Sequence, residues 1–325
     1  MSSAVSTPAR RPALTPVQGI LLLLLAALVA LPWITGSIFH FHIAIMVCLG
    51  AIATSGLAVV AWVGQLSLAH AAFVGIGAYS SVLLVTRLGM PFVIGLPAGA
   101  LMAGAVAWVI GTPLLRLRGI YFVLITFALN ELFRLVMLEF PAVSGGSSGI
   151  AAVPKISLFG FVLQRQPQVY VFTLICLAAV LVLLWLIRHG QLGRRFAAVE
   201  ENAALAESSG IPAAKTQNLA FVIGSAIAGF AGAIMAHYVG FISPETFGFQ
   251  LSVSYVVMLV TGGRLAFWGP LVGAIFLVPL PEFLRSALEF QHIIYGLVLI
   301  LILRFLPQGL AGVPAQIARL RGGAS

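Results

Sequence analysis

Aspartate does not occur anywhere in this 325-residue sequence, and its only acidic residues are eight glutamates. Charged residues of both signs make up 8% of the chain, where soluble domains carry about 25%. That is too little charge to coat a globule of this size, so a soluble enzyme is excluded. The missing aspartates also remove the carboxylate pairs that intramembrane transferases use to hold metal and diphosphate. Cysteine is scarce as well. Cys48 and Cys176 both lie inside apolar runs and read as small buried hydrophobes rather than a disulfide framework. No G-x-x-x-x-G-K-[ST] loop exists, Gly75-Ile76-Gly77 lacks the third glycine of a dinucleotide fingerprint, and no H-E-x-x-H is present. The six histidines do not form a metal-ligand spacing, and His40 and His42 read as solvated groups at a membrane interface.

What the chain does have is apolar length. Hydrophobic residues account for 61% of it, and the mean hydropathy is +1.12. Crossing ~30 Å of hydrocarbon at ~1.5 Å per residue takes ~20 helical residues. Ten such helices would consume about 200 residues and leave only short loops. The fold class expected is therefore an all-α polytopic membrane bundle of about ten helices.

Residues 1–18 are polar and contain Pro8, Pro12 and Pro16, which predicts a disordered tail. The apolar run 19–34 follows Arg10 and Arg11 but offers no clean small-x-small cleavage site, so it reads as a retained first helix. From Ile38 to Thr86 no charged residue occurs; the run is long enough for two spans, 38–62 and 66–86, broken at Gly64-Gln65. Further spans are expected at 91–115, 120–140, 168–187, 219–241, 250–261, 267–284 and 292–306. The one at 250–261 is short, which suits a re-entrant or broken helix. The transmembrane domain thus runs over 19–306, with a long connection at 188–218 and a polar tail at 307–325. With ten crossings, twelve of the seventeen Lys and Arg fall on the side of both termini and four on the other, Arg134 lying inside a helix. The positive-inside rule then places both termini in the cytoplasm. The net charge of +9 is explained by these helix-end arginines, not by nucleic-acid binding. A faint internal echo links Gly64-Gln65-Leu66…Phe73-Val74-Gly75 with Gly263-Arg264-Leu265…Leu271-Val272-Gly273.

Three clusters carry polar chemistry. Glu131 and Arg134 sit at i,i+3 spacing, Glu131 ~17 Å into its span. Either they form a structural ion pair or they line a solute path. Gln65, Ser67 and His70 lie near a helix start rich in Ala and Gly; His70 either bonds a neighbouring carbonyl or faces the path. The segment 196–209, Ala- and Glu-rich without Pro or Gly, predicts one amphipathic helix stopped by Gly210-Ile211-Pro212. Its exposed face would carry Glu200, Glu201 and Glu207, and its other face Val199, Leu205 and Ala206. From the residues alone it could lie on the membrane or dock on a partner.

Taken in order, these segments resemble the branched-chain amino acid ABC importer permeases of the LivM type. The resemblance is carried by Ser67–Tyr79, Arg116–Phe122 leading to Glu131 and Arg134, Gly193–Gly210, and Leu219-Ala220-Phe221…Ala228–Ala233. Ser243-Pro244-Glu245 and Gly262-Gly263…Trp268-Gly269-Pro270 complete it. It implies a bacterial inner-membrane permease subunit with a second related permease, two cytoplasmic ATPase subunits and a periplasmic solute-binding protein as partners. ATP would be used by the ATPase subunits, with no cofactor in this chain. The segment bearing Arg194, Arg195, Glu200, Glu201, Asn202, Glu207 and Gly210 would be the coupling element that docks on the ATPase. Three positions depart from the family pattern: Glu200-Glu201-Asn202-Ala203 stands for Arg-Glu-Asn-Glu, Leu265-Ala266 for Gly-Ser, and Ser148 for Asp, Asn or Thr. Relatives carry branched-chain amino acids, urea, short amides or aromatic acids. The rival classes are a secondary transporter, for which only Glu131 offers a mid-membrane coupling acid, and a membrane-embedded enzyme.

Overall fold

The computed structural model describes residues 28–283 except 31 and 118, together with 296, 304, 309 and 310. The expectations for the tail 1–18, most of the span 19–34, the span 292–306 and most of the tail 307–325 lie outside those residues.

The described chain is overwhelmingly helical. It contains α1 (Ile38–Ala61), α2 (His70–Arg87), α3 (Phe92–Leu114), α4 (Ile120–Glu139), α5 (Gln166–His189), α6 (Gln191–Glu201) and α7 (Ala203–Ser208). Then follow α8 (Ala213–Val239), α9 (Phe249–Gly262) and α10 (Gly269–Leu277). Among the described residues, α1, α3, α4, α5 and α8 are long and apolar enough to cross a membrane. Four two-residue strands pair as small ribbons between helices: β1 (Ile150–Ala151) with β4 (Phe241–Ile242), and β2 (Ser157–Leu158) with β3 (Phe161–Val162).

The bundle is built around α1 and α8. In α1, 89% of the most apolar window is buried, whereas in α4 the share is 17%. A helix covered on all sides can be apolar all round, which is what the sequence of α1 shows. α8 packs on α1, α2 and α3 through small residues, since a Cβ at Gly77 would fall 2.1 Å from the carbonyl oxygen of Gly229 and one at Gly56 2.5 Å from that of Gly224. Backbone-to-backbone approach of this kind holds helices together where burial from water supplies no driving force. α4 lies at the edge, touching its neighbours along Phe122, Thr126 and Asn130, one turn apart, and leaving most of its surface open.

Successive long helices run in alternating directions. α1, α5 and α9 end at the side where α6 lies, and Thr112 near the end of α3 meets Asn218 near the start of α8 at that same side. The break expected at Gly64-Gln65 is wider than the sequence suggested: the backbone is irregular from Trp62 to Ala69, and the next helix starts at His70 rather than at residue 66. The span at 267–284 is represented by α10 and a single turn at Leu280–Phe283. The amphipathic helix expected over 196–209 is two helices. Asn202 adopts an extended backbone and its Oδ1 accepts from the amide of Leu205 at 3.1 Å, so it ends α6 and caps α7. His42 is also not a free surface group: its Nδ1 lies 2.6 Å from the hydroxyl of Tyr238 on α8.

Candidate functional site

The first polar cluster forms around the break between α1 and α2. His70 Nε2 lies 2.7 Å from the carbonyl oxygen of Ala53, eight residues before the end of α1. At ~1.5 Å per residue, α2 therefore begins ~12 Å inside the level at which α1 ends. The amides of residues 62–65 still donate back to Ala58, Val60 and Ala61 in the last turns of α1, and residues 66–69 climb on without helical hydrogen bonds, which an apolar environment tolerates where protein groups meet the backbone. Side chains supply such partners here and in the first turn of α2. The amide of Leu68 donates to Thr126 Oγ1 at 3.0 Å, that of Ala69 to Ser67 Oγ at 3.2 Å, that of Ala71 to Ser252 Oγ at 2.9 Å and that of Ala72 to Asn130 Oδ1 at 2.9 Å. Asn130 also accepts from Ser252 Oγ and donates to the Phe247 carbonyl. Ser67, His70, Asn130, Thr126 and Ser252 are all fully enclosed, and Gln65 is buried beside them. The free amides of a helix start carry partial positive charge, and here side chains of α4 and α9 hold them.

The second cluster lies farther along α4. Arg134 Nε donates to Glu131 Oε2 at 2.8 Å, as the i,i+3 spacing predicts. Its Nη1 donates to Glu245 Oε1, also at 2.8 Å, from the short turn Pro244–Phe247 between α8 and α9. Arg134 thus holds two carboxylates at once, one from its own helix and one from a segment 111 residues away. The sequence contained Glu245, but nothing in its spacing connected it with α4.

The third cluster is at the α6 side of the bundle. Phe196 and Val199 of α6 and Ala206 of α7 are buried, anchoring the pair to the bundle. Gln191, Arg194, Arg195, Glu201, Asn202 and Glu207 are exposed. Leu205, expected on the covered face, is 65% exposed instead, because the interruption at Asn202 rotates α7 relative to α6. Glu200, expected on the open face, turns inward and pairs with Arg264 in the α9–α10 break at 3.1 Å. Arg188 at the end of α5 donates through Nη1 to the Leu265 carbonyl at 3.0 Å and stands 5.3 Å over the Trp62 ring. Gly210 has φ +83°, its amide donates to Glu207 O and that of Ile211 to Ala206 O, a left-handed helix stop.

The structure brings Gln65, Ser67 and His70 into one buried region and Glu131 with Arg134 into another, and it sets Glu200 apart from the other coupling candidates. It adds Thr126, Asn130, Ser252, Glu245, Arg188 and Arg264. A polar residue one helical turn from another on an otherwise apolar helix, as with Thr126 and Asn130, was the signal available for two of these. Among the described residues no group of three or more His, Cys or Glu could hold a metal ion.

Long apolar helices closed over a hydrogen-bonded helix break, with an amphipathic helix pair between two of them, define a multi-pass membrane protein. The comparison with known families makes it a transport permease: residues 37–303 match the family described as the branched-chain amino acid transport system permease component. The chain belongs to that family. It is 33% identical to the high-affinity branched-chain amino acid transport system permease protein LivM of Escherichia coli K12, over 81% of this chain and 67% of the relative. It is 32% identical to the LivM protein of Salmonella typhimurium, over 93% of this chain and 77% of the relative. The LivH permease protein of E. coli K12 is 31% identical over 44% of this chain and 47% of its own length. No solved structure matches.

Proposed function

We propose that this chain is one of two permease subunits of a bacterial inner-membrane ABC importer for branched-chain amino acids or a related small polar solute. Ten spans place both termini in the cytoplasm. Its partners are a second, related permease, two ATPase subunits on the α6–α7 side, and a periplasmic solute-binding protein on the opposite side. The likeness to LivM over most of the chain supports the solute class, and the arginine and lysine bias supports the orientation.

The observation that carries the coupling assignment is the surface of α6–α7. A helix lying on an anionic leaflet would present cations and bury its leucines in lipid. This pair exposes Arg194 and Arg195 only in the first half of α6; from Glu201 on it exposes carboxylates, Glu201 and Glu207, and Leu205 projects from the same short helix as Glu207 while Phe196, Val199 and Ala206 are already used inward. An open leucine among carboxylates fits a protein groove with an apolar floor and basic walls. In this reading the partly open Glu131–Arg134–Glu245 group borders the solute path on the face completed by the second permease, and the enclosed break between α1 and α2, with Gln65, Ser67 and His70, is the support behind it. The test is co-purification: the chain tagged at one terminus should bring down an ATPase encoded beside it, and Leu205→Glu should abolish that association without lowering membrane levels. Retention of the ATPase by Leu205→Glu would remove α7 from the docking surface.

A further inference from the structure

Docking on α6–α7 explains where an ATPase would push but not how the push reaches the membrane interior. The ties between α6 and the helix breaks answer that. Glu200, one residue before α6 ends, pairs with Arg264 in the α9–α10 break. The same residue lies against the α1–α2 break, since a Cβ on Gly64 would sit 3.9 Å from its Cα. Arg188, just before α6, reaches both breaks too, through the Leu265 carbonyl and the Trp62 ring. Gly64 near the start of the first break and Gly263 at the start of the second have φ +80° and +113°, and they are the two positions linked by the sequence echo. Between α6 and the breaks lies a cavity of about 160 Å³ bordered by Trp62, Arg188, Phe196, Glu200 and Leu265. Apolar packing is therefore not continuous there, and the polar ties span the gap.

We infer that Glu200 and Arg264 are positioning residues that lock α6 to both helix breaks, so that displacement of α6 moves the start of α2 and the α9–α10 turn together. This rests on the coupling reading of α6–α7. An ion pair with one partner more than a third exposed contributes little to stability. What it fixes is direction: Phe196 and Val199 set where α6 sits, while the Glu200–Arg264 pair sets which segments follow it.

The test has two arms in the full-length chain. In membranes, a cysteine placed at Ala266 is labelled with a water-soluble thiol reagent; Cys48 and Cys176 are buried within α1 and α5 and give the background. Glu200→Gln and Arg264→Gln should each raise the labelling rate about two- to fivefold, the range an exposed ion pair supports. The exchange Glu200→Arg with Arg264→Glu should bring it back. In the assembled importer, the same single variants should keep ATPase co-purification but lower hydrolysis stimulated by solute-loaded binding protein towards the unstimulated rate, again with recovery in the exchange. Unchanged labelling and stimulation in the single variants overturn the inference, as does an exchange that restores neither. Loss of ATPase binding in Glu200→Gln also overturns it, because Glu200 would then belong to the docking face. If the wild-type chain binds no ATPase, the coupling reading fails, and the labelling arm still decides the tie.

Discussion

The amide of Ala72, in the first turn of α2, donates to Oδ1 of Asn130 on α4 across 2.9 Å, in a part of the bundle closed to solvent. That bond, with those from Thr126 and Ser252, allows a helix to begin inside an apolar bundle. Asn130→Leu removes the acceptor shared by Ala72 and Ser252 and the donor to Phe247. Leaving such groups unpaired costs about 1–3 kcal/mol. The detergent-purified variant should melt clearly below wild type, and Ser252→Ala, which frees the Ala71 amide and leaves Asn130 Oδ1 still paired with Ala72, should fall between them. Equal melting of Asn130→Leu and wild type would contradict the account of the break.

Arg134 serves two carboxylates, so the members of its group are not equivalent. Glu131→Ala leaves Arg134 paired with Glu245. Arg134→Ala leaves two glutamates facing each other without a cation, one of them, Glu245, largely exposed and screened by solvent. Arg134 and Glu131 are half-buried, with 24% and 27% of their side-chain surface exposed, so an unpaired charge there costs less than in a closed core, but removing one partner of a desolvated pair remains worse than removing both. Membrane expression should therefore fall most for Arg134→Ala, less for Glu131→Ala with Arg134→Ala, and least for Glu131→Ala. Immunoblots of membrane fractions read the order directly. A greater loss for Glu131→Ala than for Arg134→Ala would show that Glu245 is no working partner.

Gly210 ends α7 at φ +83° in open space, with no neighbouring atom within 4 Å of a Cβ placed there. A β-branched residue would be unfavourable for its backbone conformation alone, by about 1–2 kcal/mol or more. Gly210→Val should insert normally yet misdirect the chain between α7 and α8, with loss of ATPase co-purification and stimulated hydrolysis. Gly210→Asn, which tolerates the left-handed region, should keep both. If Gly210→Val retains both, α6–α7 is not the coupling element.

Topology is open to reporters. One α5 helix of 24 residues separates Ser147 from Gly190. A reporter after Gly190 should register the cytoplasm and one near Ser147 the periplasm. Finding both on one side would remove α5 as a span, and with it the ten-span arrangement.

Much of this architecture was legible because hydropathy in a membrane chain reports length directly. α1, α3 and α4 begin and end within a residue or two of the apolar runs that predicted them. The α1–α2 break was legible only as a point, because Leu66 and Leu68 are as apolar in an irregular segment as in a helix. What ends the ambiguity is the set of acceptors on Thr126, Asn130 and Ser252, which lie 58 to 181 residues away along the chain. Asn202 reads as helix interior because its neighbours are alanines and glutamates; in the fold its side chain accepts from the Leu205 amide and ends the helix. Glu200 looked solvated by helical periodicity. Its actual partner, Arg264, comes from a break whose position in space no local pattern encodes.

In the proposed function this chain conducts solute only as part of an ATP-driven assembly. Proteoliposomes containing it with the neighbouring permease and ATPase subunits, supplied with solute-loaded binding protein, measure that directly as uptake of radiolabelled leucine, isoleucine or valine. Uptake should require ATP, be lost when this chain is omitted, and not arise from a proton or sodium gradient. Gradient-driven uptake by this chain alone, without ATP, would contradict it.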